Sequence, residues 1–108
     1  MDQQVLDRIK GIVTGSPVVL FMKGTPQFPQ CGFSNTAAQV LRACNAEFTA
    51  VNVLADPEIF ENLKHYANWP TFPQLYVNGE LIGGADISRE MYEKGEMQTL
   101  LAGVKQTN

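Results

Sequence analysis

Two cysteines, one histidine and no long apolar run set the first limits on this chain of 108 residues. Two cysteines are too few for a disulfide framework, and in a reducing compartment both are expected as thiols. The single histidine, His65, has no partners at metal-ligand spacing and is expected as an exposed helix residue. No apolar stretch approaches the roughly 20 residues that a membrane-spanning helix requires, so no membrane association is expected. The amino-terminal Met1-Asp2-Gln3-Gln4 lacks the basic start and apolar stretch of a signal peptide, which points to a cytoplasmic protein. Positive charge is scarce as well: 8 Lys and Arg against 11 Asp and Glu leave a net charge of −3 and a pI near 5.0. No nucleic-acid partner is expected, because phosphate binding draws on a basic face. There is no repeat, low-complexity stretch or interdomain linker, and the length suits a single domain over 1–108 with one modest core.

Hydrophobic patterning supplies the elements. Val5, Leu6, Ile9, Ile12 and Val13 recur at helical spacing over 2–14, with Gly15 as a stop. Pro17 opens Val18-Val19-Leu20-Phe21-Met22, the continuous apolar run of a strand buried on both faces. One glycine and two prolines make 23–30 a loop. Ala37, Ala38, Val40, Leu41 and Cys44 mark a helix face over 35–44, which puts Cys31 at or just before a helix amino terminus. Residues 48–53 alternate as a second strand. Asp56 as cap and Pro57 as first helical residue open a helix to about Ala67. Strands over 74–77 and 80–82 flank Asn78-Gly79, a strong hairpin signal, and Gly83-Gly84 ends the pair. From Asp86 on, Ile87, Met91, Tyr92, Met97, Leu100 and Leu101 point to one or two closing helices. The order α-β-α-β-α-β-β-α joins a strand–helix–strand unit, expected to be parallel, to an antiparallel hairpin. The fold class is α/β: a thioredoxin-like fold, a four-stranded mixed sheet flanked by helices.

Cys31 lies in a polar, Pro- and Gly-rich segment at a helix start, where partial positive charge and free N–H groups favour a thiolate, the reactive form. Lys23 adds a cation from the far end of the loop. Cys44, on an apolar helix face beside Leu41, reads as a small core residue. It is three helical turns from Cys31, roughly 20 Å, too far for a disulfide. Ser34 stands where a Cys-x-x-Cys motif carries its resolving thiol, and serine closes no disulfide. One thiolate exchanges with glutathione or binds metal, but an iron–sulfur cluster takes about four ligands. If Cys31 is a cluster ligand, the others come from outside the chain.

Two further segments point the same way. In Trp69-Pro70-Thr71-Phe72-Pro73-Gln74, a proline at a strand start is compatible with a cis bond. In thioredoxin-like folds such a proline faces the active cysteine, and the residue before it, here Phe72, offers its backbone to a bound peptide. A plain loop-to-strand proline is the alternative. Gly83-Gly84-Ala85-Asp86 lets a backbone approach a ligand beside a helix start, which suits an anion such as a glutathione carboxylate. The alternative is a hairpin exit followed by an N-cap aspartate. Phe28, Phe33, Phe48, Phe60, Phe72 and Tyr76 are expected mostly as core or pocket walls, Phe33 above all as pocket lining.

Lys23-Gly24, Cys31-Gly32-Phe33-Ser34, Trp69-Pro70-Thr71-Phe72-Pro73-Gln74 and Gly83-Gly84-x-Asp86, together with the long loop before Cys31, closely resemble the monothiol CGFS glutaredoxins over about residues 5–102. The resemblance implies glutathione between the Cys31 helix and the Pro73 strand. Lys23 would pair with its glycyl carboxylate and the Phe72 backbone with its cysteinyl part, while Ala85 and Asp86 would hold its γ-glutamyl end. Thr71, Pro73, Gly84 and Phe33 complete the implied site. It further implies a labile [2Fe–2S] cluster shared by two protomers, each giving Cys31, with two glutathiones giving the remaining thiolates. Implied partners are a second copy, a BolA-like protein and iron–sulfur acceptor proteins. The sequence departs from the family at Phe60, where an arginine usually binds a glutathione carboxylate. Either Lys64, one helical turn on, replaces it, or affinity falls tenfold or more, since a charge-assisted hydrogen bond is worth ~1.5–3 kcal/mol. Ala85 stands where many relatives have cysteine, so no second thiol captures glutathione from Cys31.

Three functions remain open at this point. One is glutathione-dependent carriage and transfer of a cluster. The second is a monothiol oxidoreductase that removes glutathione from protein thiols. The third is a protein-interaction module.

Overall fold

The computed structural model describes residues 3–104, so Asp2 of the expected first helix and the outermost residues of the expected domain lie outside the described part. The elements are α1 (Gln3–Gly15), β1 (Val18–Met22), α2 (Gly32–Ala43), β2 (Thr49–Asn52), a 3-10 turn (Val53–Ala55), α3 (Pro57–Tyr66), β3 (Gln74–Val77), β4 (Glu80–Gly83), α4 (Ala85–Glu93) and α5 (Glu96–Ala102).

The four strands form one sheet in the order β2-β1-β3-β4. β1 is parallel to β2, with Phe21 opposite Val51, and antiparallel to β3, with Leu20 opposite Leu75. A parallel pair needs a long crossover, and α2 supplies it. β3 and β4 close as a hairpin on Asn78 and Gly79, whose φ values of 53° and 82° are what a tight two-residue turn demands. This is the thioredoxin-like mixed sheet expected from the element order.

β1 is central, and all five of its residues are buried. Strand alternation sends Val18, Leu20 and Met22 to one face, against Ala37, Ala38 and Leu41 of α2 and Met97 and Leu101 of α5. Val19 and Phe21 reach the other face, against Val5, Ile9 and Val13 of α1 and Ile59 and Leu63 of α3. Each large side chain removed from water contributes about 1.5–3 kcal/mol, so this strand anchors both layers. On the second face Arg8 Nη1 ties α1 to the start of α3, donating to Asp56 Oδ1 (3.2 Å) and Glu58 Oε1 (3.0 Å).

Several local expectations change. β2 is shorter than 48–53, because the Asn52 side chain accepts the Leu54 N–H (3.0 Å) and turns the chain into the 3-10 helix. The same oxygen accepts the Gly24 N–H (3.0 Å), joining this turn to the exit of β1. α2 ends at Ala43, so Cys44 is its C-cap, half-buried against the core. Phe28 is neither core nor pocket wall: it is 75% exposed at a loop tip. His65 is exposed on α3, as expected. No helix of the described residues is long and apolar enough to cross a membrane.

Candidate functional site

Cys31 is the N-cap of α2, in extended backbone conformation (φ −153°, ψ 135°). An N-cap ordinarily offers an oxygen to the free N–H groups of the first turn; here the side chain ends in sulfur and closes no cap hydrogen bond. The backbone N–H of Ser34 acts most strongly to hold the Cys31 thiol below its ordinary range. The Phe33 N–H and the Lys23 charge act in the same direction, and partial burial opposes them. The balance lowers the pKa and so raises the thiolate fraction. Cys44, at the other end of the helix, is the reverse case, since burial pushes its thiol up. Both cysteines are free.

The loop before Cys31 is held in shape. Gln30 N–H donates to Lys23 O (2.9 Å), and Thr25 and Phe28 exchange backbone bonds of 3.2 and 3.1 Å. Gly24 sits at φ 92°, and a Cβ there would meet Phe28 O at 2.5 Å and Gln30 N at 2.6 Å, so only glycine lets the turn close. Ser34 is fully buried, and its Oγ accepts the Lys23 N–H at 3.0 Å. The residue in place of a second thiol thus ties the lysine's backbone to the first turn of α2.

Across from the cysteine, the Phe72–Pro73 peptide is cis and Pro73 is buried. Gly84 is the N-cap of α4, and a Cβ there would meet Pro73 O at 3.2 Å, so the two backbones pass close together. Ser88 fixes this helix start: its N–H and Oγ donate to Gly84 O at 3.0 and 2.7 Å. The N–H groups of the first turn, Ala85 to Ile87, have no acceptor within the helix and form an anion-binding end. Asp86 is therefore the second helical residue and not the cap. Its exposed carboxylate pairs with Arg89 at 3.6 Å.

One cavity of about 740 Å³ gathers these pieces. Every residue expected at the site lines it: Lys23, Cys31, Phe33, Thr71, Phe72, Pro73, Gly84, Ala85 and Asp86. Phe60, Lys64, Trp69, Pro70 and Ile87 line it too. Phe60 packs against Phe72 at 5.4 Å between ring centroids, and Lys23 Nζ stands 6.0 Å from the Phe60 ring. The cavity combines a stabilised thiolate, two ammonium groups, a helix amino terminus and an aromatic wall. That set suits a small thiol carrying carboxylates. Among the described residues, no group of three or more His, Cys, Asp or Glu side chains is placed to hold a metal ion, so Cys31 brings a single thiolate.

The family description that matches this chain, glutaredoxin, covers residues 18–82, from β1 into β4 and across most of the cavity. The chain is a glutaredoxin. It is similar to glutaredoxin 4 of Pasteurella multocida (strain Pm70), 52% identical over 101 residues, which span 94% of this chain and 93% of that protein. It is 50% identical to an uncharacterized monothiol glutaredoxin, ycf64-like, of Synechocystis sp. (strain ATCC 27184 / PCC 6803 / Kazusa), over 94% of both chains. Among solved structures it resembles reduced poplar apo GrxS14, with a TM-score of 0.76, 50% identity and coverage of 89% and 88%. Within this family it is a monothiol member, with Ser34 closing its CGFS motif.

Three residues of this glutaredoxin do more than its sequence indicates. Ser34 reads as a missing thiol but is a buried acceptor. Ser88 stands in no motif of the sequence, yet its Oγ bonds the Gly84 carbonyl at the start of α4. Gln74 reads as the first residue of a strand but bonds the loop that lines the cavity. The available signal for the last was a polar residue heading an apolar strand.

Proposed function

We propose that this glutaredoxin binds a [2Fe–2S] cluster together with glutathione, stores it and hands it to iron–sulfur acceptor proteins. The observation that carries the reading is the lone stabilised thiolate of Cys31 at the wall of a cavity suited to glutathione. A cluster of this type takes about four ligands, mostly thiolates. Two Cys31 side chains from two protomers and the thiols of two glutathiones make up that number, so the cluster-bound form is a homodimer. A cluster held half by small, exchangeable molecules is one that can be passed on.

Within each protomer the roles follow the cavity wall. Lys23 takes the glycyl carboxylate, and the backbone of Phe72 takes the cysteinyl part. The first-turn N–H groups at Ala85 and Asp86, with the Asp86 carboxylate, take the γ-glutamyl end. Phe33, Thr71, Pro73 and Gly84 shape the walls, and the missing Cβ of Gly84 lets the helix start sit close against the Pro73 carbonyl. Lys64 lines the same cavity as Phe60 and supplies a cation where the usual arginine is absent. A BolA-like protein is a second proposed partner, and the cytoplasm the proposed compartment. Anaerobic reconstitution with iron, sulfide and glutathione tests the reading. The expected result is a [2Fe–2S] absorption and circular dichroism spectrum on a dimer, absent in Cys31→Ser. A wild-type protein that stays monomeric and colourless contradicts it.

The lowered Cys31 pKa also favours a second reading, removal of glutathione from protein thiols. Cys31 Sγ attacks the glutathione sulfur of a mixed disulfide, that S–S bond breaks, and the protein thiolate leaves. A second glutathione thiolate then attacks the Cys31–glutathione disulfide, releasing Cys31 and glutathione disulfide. Steady turnover in a glutathione-coupled assay, with no cluster formed on reconstitution, puts this reading first.

A further inference from the structure

Gln74 is fully buried at the head of β3, directly after Pro73. A buried amide is costly unless its polar atoms are paired. Here both ends have partners. Nε2 donates to Trp69 O at 2.9 Å and to Thr71 O at 3.3 Å, and Oε1 accepts from Tyr76 Oη at 2.9 Å. Tyr76 is itself buried, 1% exposed, and burial pushes its phenol up, so the hydroxyl stays a donor. The two carbonyls can only accept, so they settle the orientation of the amide: its NH2 faces them and its oxygen faces the phenol, which donates.

Those carbonyls belong to the segment between α3 and β3, whose residues Trp69 to Pro73 line the cavity. This segment has little of its own to hold it. Pro70 and Pro73 carry no N–H. The Trp69 backbone N–H goes back to Lys64 O (3.0 Å), and the buried Trp69 Nε1 has no hydrogen-bond partner.

We infer that Gln74 is a positioning residue: its carboxamide clamps Trp69 and Thr71, and through them sets the place of the Phe72 backbone on the ligand wall. It does not line the cavity itself. The inference rests on the reading that glutathione binds along Phe72. It explains why an amide is needed. Leucine offers nothing to the carbonyls, and an ionised glutamate keeps the acceptor for Tyr76 but loses both donors.

The test compares wild type with Gln74→Glu, Gln74→Leu and Tyr76→Phe, with glutathione affinity read by calorimetry from about pH 5.5 to 8.5, a span chosen because burial raises a carboxyl pKa. Gln74→Leu is expected to weaken binding about tenfold at every pH, the effect of orphaning two carbonyls. Gln74→Glu should share that loss at high pH and recover in part as its carboxyl gains a proton and becomes a donor to one of the two carbonyls. Tyr76→Phe, which leaves the carbonyl clamp in place, should stay within about threefold of wild type. A Gln74→Glu protein whose affinity relative to wild type does not change with pH overturns the inference, since a packing defect would not be reversed by a proton. Trp69, the only tryptophan, gives a readout without ligand. Its emission should shift with pH in Gln74→Glu and not in Tyr76→Phe. If Gln74→Leu fails to fold, or if wild type binds no glutathione and the functional reading falls, that emission alone decides. A pH-dependent shift upholds the clamp, and no shift overturns it.

Discussion

Ser34 Oγ accepts the backbone N–H of Lys23 at 3.0 Å, so the residue that stands where a resolving thiol would be holds the lysine loop against the cysteine turn. Ser34→Ala leaves that N–H without an acceptor in a part-buried place. It should cost about 1–2 kcal/mol of stability, measured by urea unfolding. It should also raise the Cys31 pKa slightly, because the hydroxyl is one of the groups that lower it.

The Cys31 thiolate couples the site to pH. Its folded pKa lies below the ordinary value of 9.0, led by the Ser34 backbone N–H. A depressed pKa means the fold binds the thiolate more favourably than the unfolded chain does. That contribution is complete above the unfolded pKa and is lost as pH falls through the folded one. The stability of wild type relative to Cys31→Ala should therefore rise from the folded-state pKa toward pH 9, in denaturant titrations at stepped pH. Lys23→Gln should shrink the rise without abolishing it, since the backbone N–H groups of Ser34 and Phe33 remain. A difference that is flat with pH contradicts the assignment.

Asp56 caps α3, its side chain accepting the Ile59 N–H at 3.2 Å, and Arg8 holds its carboxyl below the usual range. Asp56→Ala should cost about 1–2 kcal/mol near neutral pH, most of it the cap, because an ion pair at the surface adds little. The sign follows the carboxylate case. The advantage of wild type over the variant holds above the ordinary pKa of 3.8 and fades as pH falls through the folded value. Thermal unfolding at stepped acidic pH checks this.

Phe60 lines the cavity where the resemblance to the CGFS glutaredoxins leads one to expect an arginine. Phe60→Arg should tighten glutathione binding about fivefold to tenfold, the range of one added charge-assisted hydrogen bond less the lost stacking on Phe72. Calorimetric titration with glutathione reads the change. Unchanged affinity would mean that Lys64 already does the arginine's work.

Most of this fold was legible because its signals are local and strong. The apolar run at β1 has to be buried on both faces, Asn78-Gly79 can hardly be anything but a tight turn, and Asp56-Pro57 opens a helix for reasons confined to those residues. The site residues were legible as four separated motifs, and the chain topology brings all nine to one cavity. What stayed hidden depends on side-chain and turn hydrogen bonds that hydrophobic patterning does not record. The Asn52 side chain ends β2 early because it also serves Gly24, 28 residues away, and no strand pattern records that. Ser34 meets Lys23, and Gln74 meets Trp69, only once α2 and β3 are in place. Phe28 reads as apolar and therefore inside, yet its own backbone forms the turn that turns it out to solvent.

The most direct measurement is the composition of the reconstituted coloured species, with iron, sulfide, glutathione and protein counted in the same purified fraction. Shared ligation by Cys31 and glutathione requires equal amounts of all four, as two of each in a dimer. A cluster that forms with no bound glutathione, or persists in Cys31→Ser, would contradict it.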